Sequence, residues 1–318
     1  MNSKLLFFIL SILIISCKNR EDQIKIGSQT SYNYDQYITI LGIAQDGGYP
    51  HINNTSEFEN VRKGRYHEEL VVSLGIIDRQ EEKKFLVEAT PDMSKQLAIL
   101  DADHLKKDPI IDGVFLTHAH IGHYTGLMFF GREAMGAKNI KVFAMPKMLS
   151  FLENNGPWSQ LVDLQNIKMN PLQDEISVDI TKHIKVTPFL VPHRDEFSET
   201  VGYRILGKTK SALFIPDINK WSLWEKSIVD EVKKVDYAFI DATFFKDGEI
   251  PRPMAEVPHP FIQETVALFK NESKEVKSKI IFIHFNHSNP LIDSKNKQRI
   301  TLEKEGFRFA KTNDVFGL

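Results

Sequence analysis

Residues 113–127 read GVFLTHAHIGHYTGL. A short apolar run, Gly113 to Leu116, has the composition of a buried strand, and three histidines follow it at once. Side chains alternate along extended backbone, so His118 and His120 share one side, and the turn after them brings His123 round to the same place. Neutral imidazole is the commonest protein ligand for zinc and also suits iron. Three imidazoles within six residues at a strand end therefore point to an open metal site.

Chemistry-bearing residues recur at the ends of other apolar runs. His193 follows VTPFLVP, Asp217 ends SALFIPD, Asp241 lies in YAFIDATF, His259 in AEVPHPF, and His284 and His287 in IIFIHFNHSNP. Loops at one edge of a layered sheet commonly gather functional groups, and this repeated placement carries more weight than any single residue.

Around these runs, β-branched segments bounded by turn signals predict strands at 37–44, 70–78, 84–89, 113–118, 141–145, 184–191, 200–206, 211–217, 237–243 and 279–285. Helical periodicity and proline starts predict helices at 91–100, 123–135, 146–154, 219–233 and 260–270. Early strands succeed one another as hairpins and later ones alternate with helices, the pattern of layered sheets flanked by helices in one domain.

The whole chain has 318 residues, 42% of them apolar, enough for a large core. Forty basic against 42 acidic residues leave a formal charge of −2, so nucleic acid is not an expected partner. One cysteine excludes an internal disulfide and a four-thiolate metal site. That cysteine ends MNSKLLFFILSILIISC, where Lys4 precedes an apolar run from Leu5 to Ile15. The run is too short for a stable bilayer anchor and matches an export signal; Ile-Ile-Ser-Cys resembles a bacterial lipobox. Residues 1–16 are thus expected to be a lipoprotein signal peptide, 17–36 a polar tether, and 37–318 the folded domain. The expected setting is the bacterial cell envelope, at a membrane through a lipid anchor at Cys17.

Taken together, these segments resemble the metallo-β-lactamase superfamily, whose hallmark T-H-x-H-x-D-H follows a strand. Thr117 to His123 repeats it except at Gly122. The resemblance implies a four-layer αββα sandwich. It also implies that His118, His120 and His193 hold one metal and that Asp217 bridges toward a second held by His123 and His284. Within the superfamily, LGIAQDGGYPHINN, FLVEATPDMSKQL and IHFNHSNPL are similar to the pyrroloquinoline quinone biosynthesis protein B group. DATF with a later histidine in EVPHPF resembles the tRNA 3′-processing and phosphodiesterase branch, which implies that Asp241 and His259 assist proton transfer. The resemblance further implies one or two zinc ions, with iron or manganese as alternatives.

Glycine at 122 offers neither charge nor lone pair where the hallmark has aspartate. A weakened two-metal site, a one-metal site, and a site filled by another side chain all fit. Glu88, Asp46, His51 and His67 are the candidate substitutes, with His51 of most interest because DGGYPHI is a glycine-rich turn after the first strand. His104 and His183 sit among charges and are expected to be exposed. The expected activity is hydrolysis of an ester, phosphodiester or amide-like bond in a small-molecule or nucleotide-like substrate by a metal-activated water. The alternatives are an oxidoreductase of the quinone-cofactor biosynthesis type and a non-catalytic metal-binding lipoprotein.

Overall fold

Apolar runs too continuous for a half-exposed sheet pack here with both faces covered, as strands between a second sheet and a helix layer must. The computed structural model describes residues 34–251, 253 and 256–318, so the expected signal peptide and Cys17 lie outside the described residues. No described helix is long and apolar enough to cross a membrane.

The first half of the chain supplies β1 (Gln36–Gly42), β2 (Ser73–Asp78), β3 (Lys83–Val87), β4 (Gly113–Phe115), β5 (Ile140–Ala144) and β6 (Ile167–Pro171). The second half supplies β7 (Val178–Asp179), β8 (Lys185–Leu190), β9 (Val201–Leu206), β10 (Ser211–Ile215), β11 (Tyr237–Asp241), β12 (Ile280–Ile283) and β13 (Arg308–Phe309), before β14 (Val315–Gly317) returns to the first sheet beside β1. Each sheet has seven strands among the described residues, ordered β14-β1-β2-β3-β4-β5-β6 and β13-β12-β11-β10-β9-β8-β7. β1, β2 and β3 pair antiparallel as the hairpin reading expects, while β3 to β6 and β10 to β13 run parallel.

Alternation along each strand separates two packing layers. Ile38, Ile40, Leu74, Ile76, Phe85, Val87 and Phe115 face Val186, Tyr203, Ile205 and Phe214 between the sheets. On the outer side of the first sheet, Tyr37, Leu41, Leu86, Val114 and Val142 meet Met93 and Leu97 of α2 (Met93–Ile99) and Met148, Leu149 and Leu152 of α4 (Pro146–Asn154). Ile228 and Val232 of α6 (Ile228–Lys233) and Ile262 of α7 (Ile262–Leu268) cover the second sheet. The result is the four-layer αββα sandwich.

All ten expected strands form, with edges moved by a few residues; β6, β7, β13 and β14 were not anticipated. Three expected helices change more. The helix expected at 91–100 begins at Met93, because Thr90 and Asp92 form the turn before it, and it runs on as a wider turn to His104. The helix expected at 123–135 divides into α3 (Ile121–Tyr124) and a tighter turn at Thr125–Phe130. The helix expected at 219–233 breaks before Ser227, whose side chain caps α6.

His104 corrects the expectation of exposure: it is only 7% exposed, with Nδ1 3.2 Å from the Tyr37 hydroxyl. His183 is half-buried and pairs with buried Asp78 at 2.9 Å. Burial pushes the His104 imidazole down to about 4 from its ordinary 6.5. In the unfolded chain His104 takes up its proton near pH 6.5, so the folded state keeps its full advantage above that pH and loses it as pH falls toward 4. The loss is expected to reach about 3 kcal/mol. Thermal melts across this range check it: His104→Gln should flatten the wild-type decline, and an unchanged slope would refute the assignment.

Candidate metal centre

One edge of the sandwich collects the strand ends. β4 delivers His118, His120 and His123; β8 delivers His193, β10 Asp217, β11 Asp241, and β12 His284. Two seams hold the sheets together there. Phe285 donates its N–H to Ile43 O and accepts from Gln45 N, each at 2.8 Å, and the Tyr203 hydroxyl donates to Leu116 O.

Three groups of ligand atoms converge, all within 4.8 Å of one another inside each group: His118, His120, His193 and Asp217; Asp46, His123 and His284; and Asp217, Asp241 and His259. His118 Nε2 and His120 Nδ1 lie 2.8 Å apart and face Asp217 Oδ2 at 3.4 and 3.8 Å. His193 Nε2 is 3.2 Å from Asp217 Oδ1, and His123 Nε2 is 4.0 Å from Asp217 Oδ2. Asp217 thus stands between the first two groups.

The remote ring nitrogens are anchored. His118 Nδ1 contacts Thr117 Oγ1 at 2.9 Å, His193 Nδ1 contacts Asn219 Oδ1 at 3.1 Å, and His284 Nδ1 contacts Thr243 Oγ1 at 2.8 Å. His123 Nδ1 faces Glu88 Oε1 at 3.3 Å as an ion-pair contact, without a hydrogen bond. Such outer partners fix ring orientation in metal sites. The opposite nitrogens of His123, His193 and His284, Nε2 in each, are buried with no hydrogen-bond partner. Buried polar atoms left without partners are rare, and a cluster aimed at common points suits a cation.

Charge follows the same geometry. Burial opposes the Asp217 carboxylate, yet the His259 and His193 charges and hydrogen bonds from His118 and His120 hold its pKa well below the ordinary value. Burial and the neighbouring His123 charge push His118 well down, and burial lowers His284 to about 4. His123 goes the other way: despite burial, Glu88 and Asp46 raise it well above 6.5.

Of the four candidates for the place of the missing aspartate, only Asp46 joins a ligand group. Glu88, fully buried with φ +75°, accepts from Thr117 Oγ1 at 2.5 Å and braces His123, so it orients ligands from behind. His67 is exposed. The interest placed in His51 is corrected: its ring stacks on His287 at 4.1 Å, and its Nδ1 contacts the neighbouring Ile52 carbonyl at 2.8 Å. His287 in turn meets Glu57 at 2.8 Å.

Asp241 and His259 form a buried pair, Oδ2 to Nδ1 2.9 Å, and the same Nδ1 lies 3.1 Å from Asp217 Oδ1. Asp241 also accepts from Thr243 N and Oγ1 and from Ile218 N, so both its oxygens are engaged. Burial opposes charge on His259, but Asp217 and Asp241 raise it to about 10.

A family model described as a beta-lactamase superfamily domain matches residues 83–285. The chain belongs to the β-lactamase superfamily. Coenzyme PQQ synthesis protein B of Gluconobacter oxydans is 25% identical over 312 residues, covering 88% of this chain and 98% of that protein. The crystal structure of Zn(2+)-bound PqqB from Methylobacterium extorquens superposes with a TM-score of 0.71 at 19% identity, over 89% of this chain and all of that one. A diphosphatase from the PhnP family gives a TM-score of 0.59 at 20% identity, over 88% of this chain and 96% of that one. These superfamily likenesses agree with the fold and with a His/Asp cluster suited to divalent metal.

Proposed function

We propose that the chain is a metal-dependent hydrolase acting on an ester, phosphodiester or amide-like bond of a small-molecule or nucleotide-like substrate. The observation that carries this reading is the set of unpartnered buried imidazole nitrogens converging around Asp217. His118, His120, His193 and Asp217 would hold one metal, and His123 and His284, with Asp217 beside them, would hold a second. The nitrogen-rich donor set favours zinc, which when bound lowers the pKa of a coordinated water toward neutrality and polarises the scissile group.

The chain's own residues supply the rest. His259, kept protonated by Asp241 and Asp217, would give a proton to the leaving atom, with Asp241 as its positioning residue. A cavity of about 480 Å³, bordered by Lys147, Glu199, Trp224 and Lys226, meets the ligand set at His193 alone.

The test is metal content and turnover together, on chain beginning after Cys17 and without a histidine tag. Zinc-loaded protein should hydrolyse bis(p-nitrophenyl) phosphate or p-nitrophenyl acetate, and His118→Ala/His120→Ala should lose both metal and turnover. Full zinc occupancy with no hydrolysis of esters, phosphodiesters or amides would overturn the hydrolase reading. Near full-length similarity to PQQ synthesis protein B supports a second reading, an oxidoreductase of that biosynthesis type; bound iron with oxygen uptake would bring it forward.

A further inference from the structure

We propose that Asp46 supplies the carboxylate of the second metal position, a duty that Gly122 cannot perform; the inference rests on the metal-centre reading above. Asp46 Oδ1 lies 3.3 Å from His123 Nε2, and it, His123 Nε2 and His284 Nε2 are all buried without a hydrogen-bond partner. A desolvated carboxylate oxygen without a hydrogen bond is costly, and two imidazole nitrogens in the same state make with it a donor set suited to a cation. Counting Asp217 as the bridge, each metal position then has four protein donors: His118, His120, His193 and Asp217 for one, Asp46, His123, His284 and Asp217 for the other.

The placement of Asp46 is built into the backbone. Residues 43–45 are tied by Ile43 O and Gln45 N to Phe285, the residue after His284, and Asn286 donates to Gln45 Oε1. Just beyond Asp46, Gly48 takes φ +68°, a turn that favours glycine. Strand β1 therefore ends by laying Asp46 against the ligand at the end of β12.

Gly122 is the other half of the arrangement. A Cβ on Gly122 would stand 2.6 Å from Asp46 Cα and closer still to Asp46 Oδ1. The carboxylate occupies the volume that a side chain at 122 would fill, and the two backbones approach because residue 122 has none. Asp46 also lies outside residues 83–285, the span of the superfamily match. Asp46 comes from the end of β1, and the glycine at 122 makes room for it.

The test titrates Zn²⁺ alone into metal-depleted protein by calorimetry, with circular dichroism to verify folding. Wild type should take two equivalents. Asp46→Asn and Asp46→Ala should keep one at wild-type affinity and weaken the other by more than roughly 100-fold, beyond the ~10–100-fold range of outer partners. His51→Ala, on the same loop, should keep both and so excludes general loop damage. Two equivalents within tenfold of wild type in the Asp46 variants would overturn the inference and leave the hydrolase reading intact. A wild type holding one zinc that survives Asp46→Ala and is lost in His193→Ala would overturn it as well, with a one-metal hydrolase remaining. Wild type that binds no zinc overturns the metal-centre reading itself, and this inference with it.

Discussion

Asp217→Ala is expected to retain neither metal after dialysis and to lose hydrolytic rate by roughly 10⁴-fold or more, the scale seen when a group on which a catalytic unit depends is removed. The reason is its central position. Its two oxygens lie 3.2 Å from His193 Nε2, 3.1 Å from His259 Nδ1 and 3.4 Å from His118 Nε2, and 4.0 Å from His123 Nε2 in the other group. On the proposed two-metal reading, one substitution would remove a donor from both metal positions and a counter-charge from His259. The His259 pKa, held near 10 by Asp217 and Asp241, should fall toward its ordinary value in the same variant. Elemental analysis and an NMR titration of the imidazole check the two effects separately. A variant that keeps both metals would show that Asp217 does not bridge them.

The second large effect concerns Gly122→Asp, the substitution that would restore the superfamily hallmark and that motif reasoning alone would choose to strengthen the site. The structure gives the opposite expectation. A Cβ there meets backbone, Asp46 Cα at 2.6 Å, and backbone cannot swing aside as a flexible side chain can. Gly122→Ala should suffer the same clash, and the aspartate adds like charge beside Asp46. Overpacking of this kind costs about 3 kcal/mol at the upper end of its usual range, or about 5 °C in Tm for a domain of this size. Melting curves of Gly122→Ala and Gly122→Asp test it. Wild-type Tm in both would mean that the 45–48 loop yields easily.

Much of the architecture was readable in sequence because both faces of each central strand are buried, which writes long β-branched runs into the chain. Runs such as TILG, FLV and IIFI have no other simple reading. The strands that escaped are edge or near-edge pieces. β7 and β13 have two residues each, β14 has three, and β6 contains Lys168, Asn170 and Pro171 on the rim of the first sheet. Their pairing is decided by distant partners, as when Gly317 meets Tyr37 across the whole chain. Helix α1 (Thr55–Arg62) was missed for a related reason: among its residues only Glu57 is buried, so its sequence lacks an apolar stripe.

The site divides along the same line. Histidines grouped by strand alternation announced themselves, and the chain placed them together. Asp46 and His51 stand five residues apart on one glycine-rich turn, and nothing local says which of them faces inward. Donor chemistry favoured the histidine; the backbone bonds to Phe285 chose the aspartate. Glu88 likewise reads as a strand-end acid, and its role behind His123 follows from a left-handed backbone at φ +75° that sequence does not reveal. Asp241 and His259 were expected to assist proton transfer, and both Asp241 oxygens are engaged, one of them with His259 Nδ1.

The direction of β1 sets how the molecule presents itself. The strand enters at Gln36, where Gln36 O accepts from Leu318 N, and leaves toward Asp46. Seven residues of strand put about 20 Å between that entry and the rim that bears the histidines. The first described residues and the Asp46, His123 and His284 group therefore lie at opposite ends of β1.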